Sequence, residues 1–218
     1  MSHVVHPYSH RLGIIRDWKS RWFNLNKYKE FLRGDILIRE LLQKKLRGMY
    51  VSGVEIERSE KILRVIIKTS RPGMIIGRNG EGAQKLKDEL LSFISKKGLT
   101  SNQELKLDIE EVRSPESNAM IVAQMVAEAL EKRMPFRRVV KQMVEKVMAN
   151  RDVSGVKIVL SGRLGGAEMA RREKILRGRI PLQTFRADID FARYEANMSY
   201  GNIGIKVWIY RGEVFQKK

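Results

Sequence analysis

Cysteine is absent from the chain. That excludes disulfides, thiol catalysis and thiolate metal sites, and it suits a reducing compartment. No apolar run approaches the ~20 residues that a membrane-spanning helix needs. The opening MSHVVHPYSHR lacks the apolar stretch of a secretory signal. A cytoplasmic, soluble protein with no membrane partner is therefore expected. Aromatic residues make up only 7% and are scattered, so no stacking platform on a sheet is evident. Internal repeats and low-complexity tracts are missing too. Acids are outnumbered: 25 Asp and Glu face 43 Lys and Arg, a net charge of +18 and a pI near 10.2. Charge of that size disfavours compaction unless a polyanion neutralises it. Nucleic acid is the first candidate partner and an anionic membrane surface the second. What is present in quantity is apolar: 43% of 218 residues, enough for genuine cores in two modest domains or one large one.

Residues 1–16 hold all three histidines, a proline and a glycine without periodicity, and read as an extended basic arm. Helical spacing follows from about Asn26 to Leu46, through Ile38, Leu41, Leu42 and Leu46, with Gly48 as the stop. Val51–Glu57 and Ile62–Thr69 alternate as strands around an RSEK turn. Pro72 opens a very short helix through Ile76. A second helix turns Ala83, Leu86, Leu90 and Ile94 inward, with Gly98 at its end, and ELKLDIEEV reads as a strand. The order is α-β-β-α-α-β. Ser114-Pro115-Glu116 looks like a helix start with an inner stripe of Val122, Met125, Val126 and Ala129. Pro135 ends that helix and opens another through about Asn150. Strands are expected at Val156–Leu160, Glu168–Leu176, Phe185–Tyr194 and Ile203–Tyr210. The fold class is α+β: a first domain within 17–111 and, after a boundary near 111–115, a second over 112–218 with two helices and a mainly antiparallel four-stranded sheet.

Three basic features point to chemistry. GMIIGRNGEG places Gly77, Arg78, Asn79 and Gly80 at the mouth of a helix, where glycine allows close backbone approach and helix N–H groups attract phosphate. This is neither a Walker loop nor a dinucleotide fingerprint. A strand, a short apolar helix, the glycine pair and a second helix are the parts of a KH module, whose loop clamps a nucleic-acid backbone. A tight helix–helix turn is the alternative. In RMPFRRVVKQMVEKVMANR, Phe136, Val140, Met143 and Val147 share one side of a helical wheel while Arg137, Arg138 and Lys141 lie opposite. Seven cations against Glu131 and Glu145 over residues 131–151 are unbalanced for a solvated face and suit phosphates. GRLGGAEMARREKILRGR adds Arg163, Arg171, Arg172, Lys174, Arg177 and Arg179, mostly arginine, which suits bidentate phosphate contacts. A solvated hairpin is the alternative there. Trp18, Trp22 and Phe23 read either as core or as a docking group.

Metal and enzyme readings are poorer. His3, His6 and His10 find no fourth ligand. Asp188 and Asp190 would share a strand face as a metal pair could, but Arg186 and Arg193 offer simpler ion-pair partners and no carboxylate or histidine cluster joins them. No metal, cofactor or catalytic residue is expected.

Val5-His6-Pro7 with Arg11-Leu12-Gly13, then RPGMIIGRNG, MPFRRVVKQ, SGRLGGAEMARRE, RADIDFARYEA and YGNIGIKVWIYRGE together resemble the family of the third protein of the small ribosomal subunit, in its bacterial form. The resemblance runs from the arm almost to Lys218. It implies a type II KH domain followed by a family-specific α/β domain, bound to small-subunit ribosomal RNA in the head beside the tenth and fourteenth small-subunit proteins. It implies that Gly77, Arg78, Asn79 and Gly80 are the KH loop. It further implies that Arg137, Arg138 and Lys141 touch incoming messenger RNA and assist unwinding. Many relatives carry two lysines in the loop where this chain has Arg78 and neutral Asn79, which implies a weaker grip. The long charged tail of some relatives is not seen after YRGEVF. A free KH-type RNA chaperone or regulator is the rival reading.

Overall fold

The computed structural model describes residues 5–24, 26–98 and 103–215. The chain forms two compact units. One is Trp18–Arg113, and the other joins Met1–Asp17 to Ser114–Lys218.

The first unit runs β1 (Ser20–Arg21), α1 (Tyr28–Lys45), β2 (Val51–Arg58), β3 (Ile62–Thr69), α2 (Pro72–Ile76), α3 (Glu81–Lys96) and β4 (Glu104–Glu111). Its sheet order is β1-β2-β3-β4, with β2 and β3 antiparallel and β3 and β4 parallel. Alternation drives this. Val54 and Ile56, Leu63, Val65 and Ile67, and Leu105 bury one sheet face against Ile38 and Leu42 of α1 and Leu86, Leu90 and Ile94 of α3. Each such side chain contributes roughly 1.5–3 kcal/mol of burial. Beside this core lies a buried ion pair, Arg58 with Asp35 at 2.7 Å, whose side chains are 6% and 3% exposed. The Trp22 indole N–H donates to the second Asp35 oxygen at 3.0 Å, and the Arg58 guanidinium stacks 5.1 Å over Phe31. Trp22 is therefore a structural residue, while Phe23 is 93% exposed. Strand β1 has only two residues and no pattern to reveal it.

The second unit runs α4 (Ala119–Glu131), α5 (Phe136–Met148), β5 (Gly155–Gly162), β6 (Arg171–Gly178), β7 (Ala187–Met198) and β8 (Gly201–Glu213). Its sheet is antiparallel throughout, in the order β6-β5-β8-β7. Val156, Ile158 and Leu160 of β5 and Ile203, Ile205, Val207 and Ile209 of β8 meet both helices in one core.

Several expectations need correcting. Helix α4 starts five residues after Ser114. Pro115–Ser117 form one 3₁₀ turn, and the Asn118 side chain caps the helix by accepting from Met120 and Ile121 N–H. Proline fixed the first turn, but an extended residue had to precede the true helix start. The inner stripe of α4 is wider than expected, because the helix packs on α5 and the sheet at once and buries Ile121, Ala123, Ala127 and Leu130 as well as Val122 and Val126, while Met125 and Ala129 are only half-buried. Strand β6 begins at Arg171 rather than Glu168, because a glycine turn at Leu164–Gly166 precedes it. Strands β7 and β8 run on to a tight turn, Met198 pairing with Gly201.

The arm is corrected too. Its described residues are not extended away from the protein: they form a 3₁₀ turn at Ser9–Arg11 and fold onto the second unit. Arg11 is completely buried. Its guanidinium donates to the carbonyls of Ala187 at 2.6 Å, Pro7 at 2.9 Å, Thr184 at 3.0 Å and Leu182 at 3.1 Å. Burial lowers its pKa, opposed by the Asp188 charge. His6 stacks edge-on against Phe191 at 4.7 Å, and His10 tilts 5.9 Å from Phe185. These two rings serve packing, whereas His3 lies outside the described residues.

Candidate nucleic-acid interface

The glycine loop joins α2 to α3. Gly77 has φ +71° and ψ −172°, a backbone region open essentially to glycine alone. Asn79 at φ +51° and Gly80 at φ +82° then hold the chain left-handed. No side chain caps α3; the Glu81 N–H at its start donates to the Arg78 carbonyl, and a helix start without a side-chain cap suits an outside anion. Arg78 and Asn79 are exposed on the loop. The four expected residues are thus together. A third glycine escaped the sequence reading: a Cβ on Gly82 would sit 2.6 Å from the Ile75 carbonyl oxygen. That glycine lets the two helices meet, and the close spacing of GRNGEG was the only hint of it.

Beside the loop lies an open groove of about 330 Å³, lined by Gly80 of the loop, Ala83, Gln84 and Lys87 from α3 and Lys106, Leu107 and Asp108 from β4. Asp108 is held by Arg64. Lys87 and Lys106 make no ion pair among the described residues and leave the groove basic. Neither was singled out from sequence, since each is a lone lysine in an ordinary pattern.

On α5 the buried residues are Val139, Val140, Val144 and Val147, with Phe136 and Met143 half-buried. The wheel is rotated slightly from the expected stripe, yet Arg137, Arg138 and Lys141 are all exposed. Arg137 is engaged, with Glu173 of β6 at 3.3 Å and its guanidinium 5.6 Å from the Phe136 ring. Arg171 reaches the same carboxylate at 3.6 Å and the same ring at 5.5 Å. Arg138 and Lys141 have no ion pair among the described residues.

The six basic residues of the GRLGGAEMARREKILRGR stretch are divided between the two sheet faces and the flanking turns. Alternation along β6 puts Arg171 and Arg177 on the α5 side and Arg172 and Lys174 on the opposite sheet face. Arg163 donates to the Ala167 carbonyl and stacks 5.5 Å over Tyr200. Arg179 lies exposed just past the strand. On the Arg172 face, burial, then the charges of Lys174 and Arg172, lower the pKa of Lys157, which sits 4.9 Å over the Trp208 ring.

The acidic pair is spent on structure. Asp188 meets Arg16 at 2.5 Å and Arg211 at 3.8 Å. Asp190 accepts from the Ala119 N–H at the start of α4 at 2.8 Å and pairs with Arg211 at 3.2 Å. The expected partners Arg186 and Arg193 are not used, because Arg186 turns to Glu213. No group of three or more His, Asp or Glu among the described residues could hold a metal. No helix among them is long and apolar enough to cross a membrane.

Comparisons agree with this architecture. Residues 37–117 match the KH domain, and residues 126–209 match the family described as ribosomal protein S3, C-terminal domain. The small ribosomal subunit protein uS3 of Endomicrobium trichonymphae is 46% identical over 217 residues, covering 100% of this chain and 90% of that protein. That of Caldicellulosiruptor saccharolyticus is 45% identical over 219 residues, covering 100% and 96%. That of Hydrogenovibrio crunogenus is 47% identical over 218 residues, covering 100% and 92%. With a KH unit, a C-terminal unit and similarity along its whole length, this chain belongs to the uS3 family of small ribosomal subunit proteins.

Proposed function

We infer that this chain is an RNA-holding structural component of the cytoplasmic small ribosomal subunit, gripping ribosomal RNA in the subunit head by its phosphates and touching messenger RNA where it enters. The glycine loop and the groove with Lys87 and Lys106 take RNA backbone on the first unit. Arg137, Arg138 and Lys141 face the messenger, and the tenth and fourteenth small-subunit proteins are its neighbours. The observation that carries the messenger contact is the geometry of α5. Four buried valines fix one side of the helix, so the cations opposite are presented rigidly. Of these, Arg138 and Lys141 carry uncompensated charge, free to meet phosphates as strands separate.

Converting Arg137, Arg138 and Lys141 to Ala tests this. The core is untouched and alanine favours helix, so subunits should assemble. Translation of hairpin-containing messenger should slow by a graded amount while unstructured messenger is little affected. Equal slowing on both templates, or failed assembly, would assign α5 to ribosomal RNA instead. Phosphate dominance has its own measure. With about six contacts on single-stranded RNA, log affinity of the free protein should fall with log salt at a slope near −4. A slope shallower than about −1 would remove charge as the driver.

A further inference from the structure

We propose that the face of the second sheet turned away from α4 and α5 is a further RNA-backbone surface, built by Lys157, Arg172, Lys174, Arg193 and Lys206. This rests on the reading that the chain binds RNA. The register assembles it. One row crosses all four strands, from Lys174 on β6 through Val159 on β5 and Lys206 on β8 to Arg193 on β7. That row spans roughly 14 Å at the usual strand spacing. Arg172 stands at one end of the neighbouring row and Lys157 lies on the other side, in register with Trp208. Between Arg172 and the β7 edge stand only Ser161 and Gly204, so a polymer backbone can lie close to the sheet there.

The face is split in two. Its other half is closed by an apolar cluster of Val159, Ile189, Trp208 and Tyr210 with Leu182 and Phe191 against it. Apart from buried Val159 at the centre of its row, the basic half has no such cover, and Glu195 is the one acid on it among the described residues. None of the five cations forms an ion pair among the described residues. Arg193 and Lys206 are direct cross-strand partners, and like charges so placed repel. Burial chiefly, and then the charges of Lys174 and Arg172, hold the pKa of Lys157 down on the same face. A surface face normally relieves such crowding with interspersed acids. Here a polyanion from outside supplies the missing charge, and a run of phosphates matches a row of cations spread along one line.

The test uses the full chain with Lys174, Arg193 and Lys206 changed to Gln, titrated against a uridine oligonucleotide at several salt concentrations. Three lost phosphate contacts should make the slope shallower by about 2. Relief of repulsion should raise the Tm of the free protein at low salt by about 1–2 °C, which also shows that the variant folds. Lys157, Lys174 and Lys206 should be protected from acetylation by the oligonucleotide. An Arg138→Gln, Lys141→Gln variant runs alongside. If that variant flattens the slope and the sheet variant does not, the sheet surface is overturned while the RNA-binding reading stands. If neither flattens it, both fall. Protection of the three lysines in assembled subunits with an unchanged RNA slope would assign the face to an acidic protein and overturn the proposal.

Discussion

Each unit has a sheet with one face turned from its own helices, and the two faces are finished in opposite ways. On the first, Arg21 pairs with Glu55 at 2.7 Å and Glu57 at 2.9 Å, Arg64 with Glu57 and Asp108, and Lys68 with Glu55 at 2.7 Å and Glu110 at 3.7 Å. Each of these three cations has a carboxylate across the strands, and on that face only Lys106, in register with Arg64, has no ion pair among the described residues. On the second, five cations share a face with one glutamate. The units bury a cation differently too: Arg58 sits against a carboxylate, Arg11 against four carbonyls. The difference teaches that a net charge of +18 is not spread evenly. One sheet neutralises itself, and the other leaves its charge for a partner.

The largest effect should come from Asp35→Ala, which strands Arg58 in a site 6% exposed. Breaking a buried pair from one side costs about 3–5 kcal/mol, and urea unfolding should show the first unit melting early. Arg11→Met should cost somewhat less, about 2–4 kcal/mol, because the methionine fills space but removes a donor from four carbonyls, of which Thr184 keeps the Ala187 N–H. Its signature is protease cleavage in residues 5–17 and early melting of the second unit. If Arg11→Met proves harmless, the two burial sites are less different than their partners imply. A smaller effect tests the faces directly. Glu55→Gln with Glu57→Gln makes the first face resemble the second. Stability should drop by about 1 kcal/mol, and the RNA salt slope should steepen by about 1 as freed cations find phosphates.

The sequence made much of this legible and hid a particular remainder. Alternation in Ile62–Thr69 and the stripe Leu86, Leu90, Ile94 declare themselves, because local period reflects which side is buried. The glycine loop was legible as a unit, since Gly77 and Gly80 need their backbone angles whatever surrounds them. Arg11 was not: nothing local marks a cation whose acceptors stand as far as 176 residues away. Lys157, Arg193 and Lys206 look like routine solvent-side residues of alternating strands. Only the register of β5, β7 and β8 brings them together. The six basic residues around GRLGGAE are neighbours in sequence, yet alternation along β6 divides those on the strand between the two sheet faces.

The smallest effects are titrations. Burial pushes the Glu55 carboxyl up, but hydrogen bonds and charges from Lys68 and Arg21 outweigh it and leave its pKa lowered. A carboxylate lowered on folding adds stability that is full above its unfolded pKa, about 4.3, and is lost as pH falls through the folded value. Urea midpoints of the first unit should therefore decline in acid, and Glu55→Gln should flatten that decline. Lys157 is lowered in the second unit, so there the unfolded chain holds the proton longer. Stability should rise slightly with alkalinity up to about pH 10.4, and Lys157→Met should abolish the rise.

The burial of Arg11 sets an order of events during synthesis. The first unit is continuous in the chain and can close as soon as Arg113 has emerged. The second needs Arg11 to reach the carbonyls of Leu182, Thr184 and Ala187, so its opening segment waits through most of translation for acceptors not yet made. Domains generally fold as units, N-terminal first, as the chain emerges. This chain places a finished unit inside the loop that the later one must close. Ribosome-stalled chains ending before residue 182 should therefore carry a folded first unit and protease-sensitive residues 5–17.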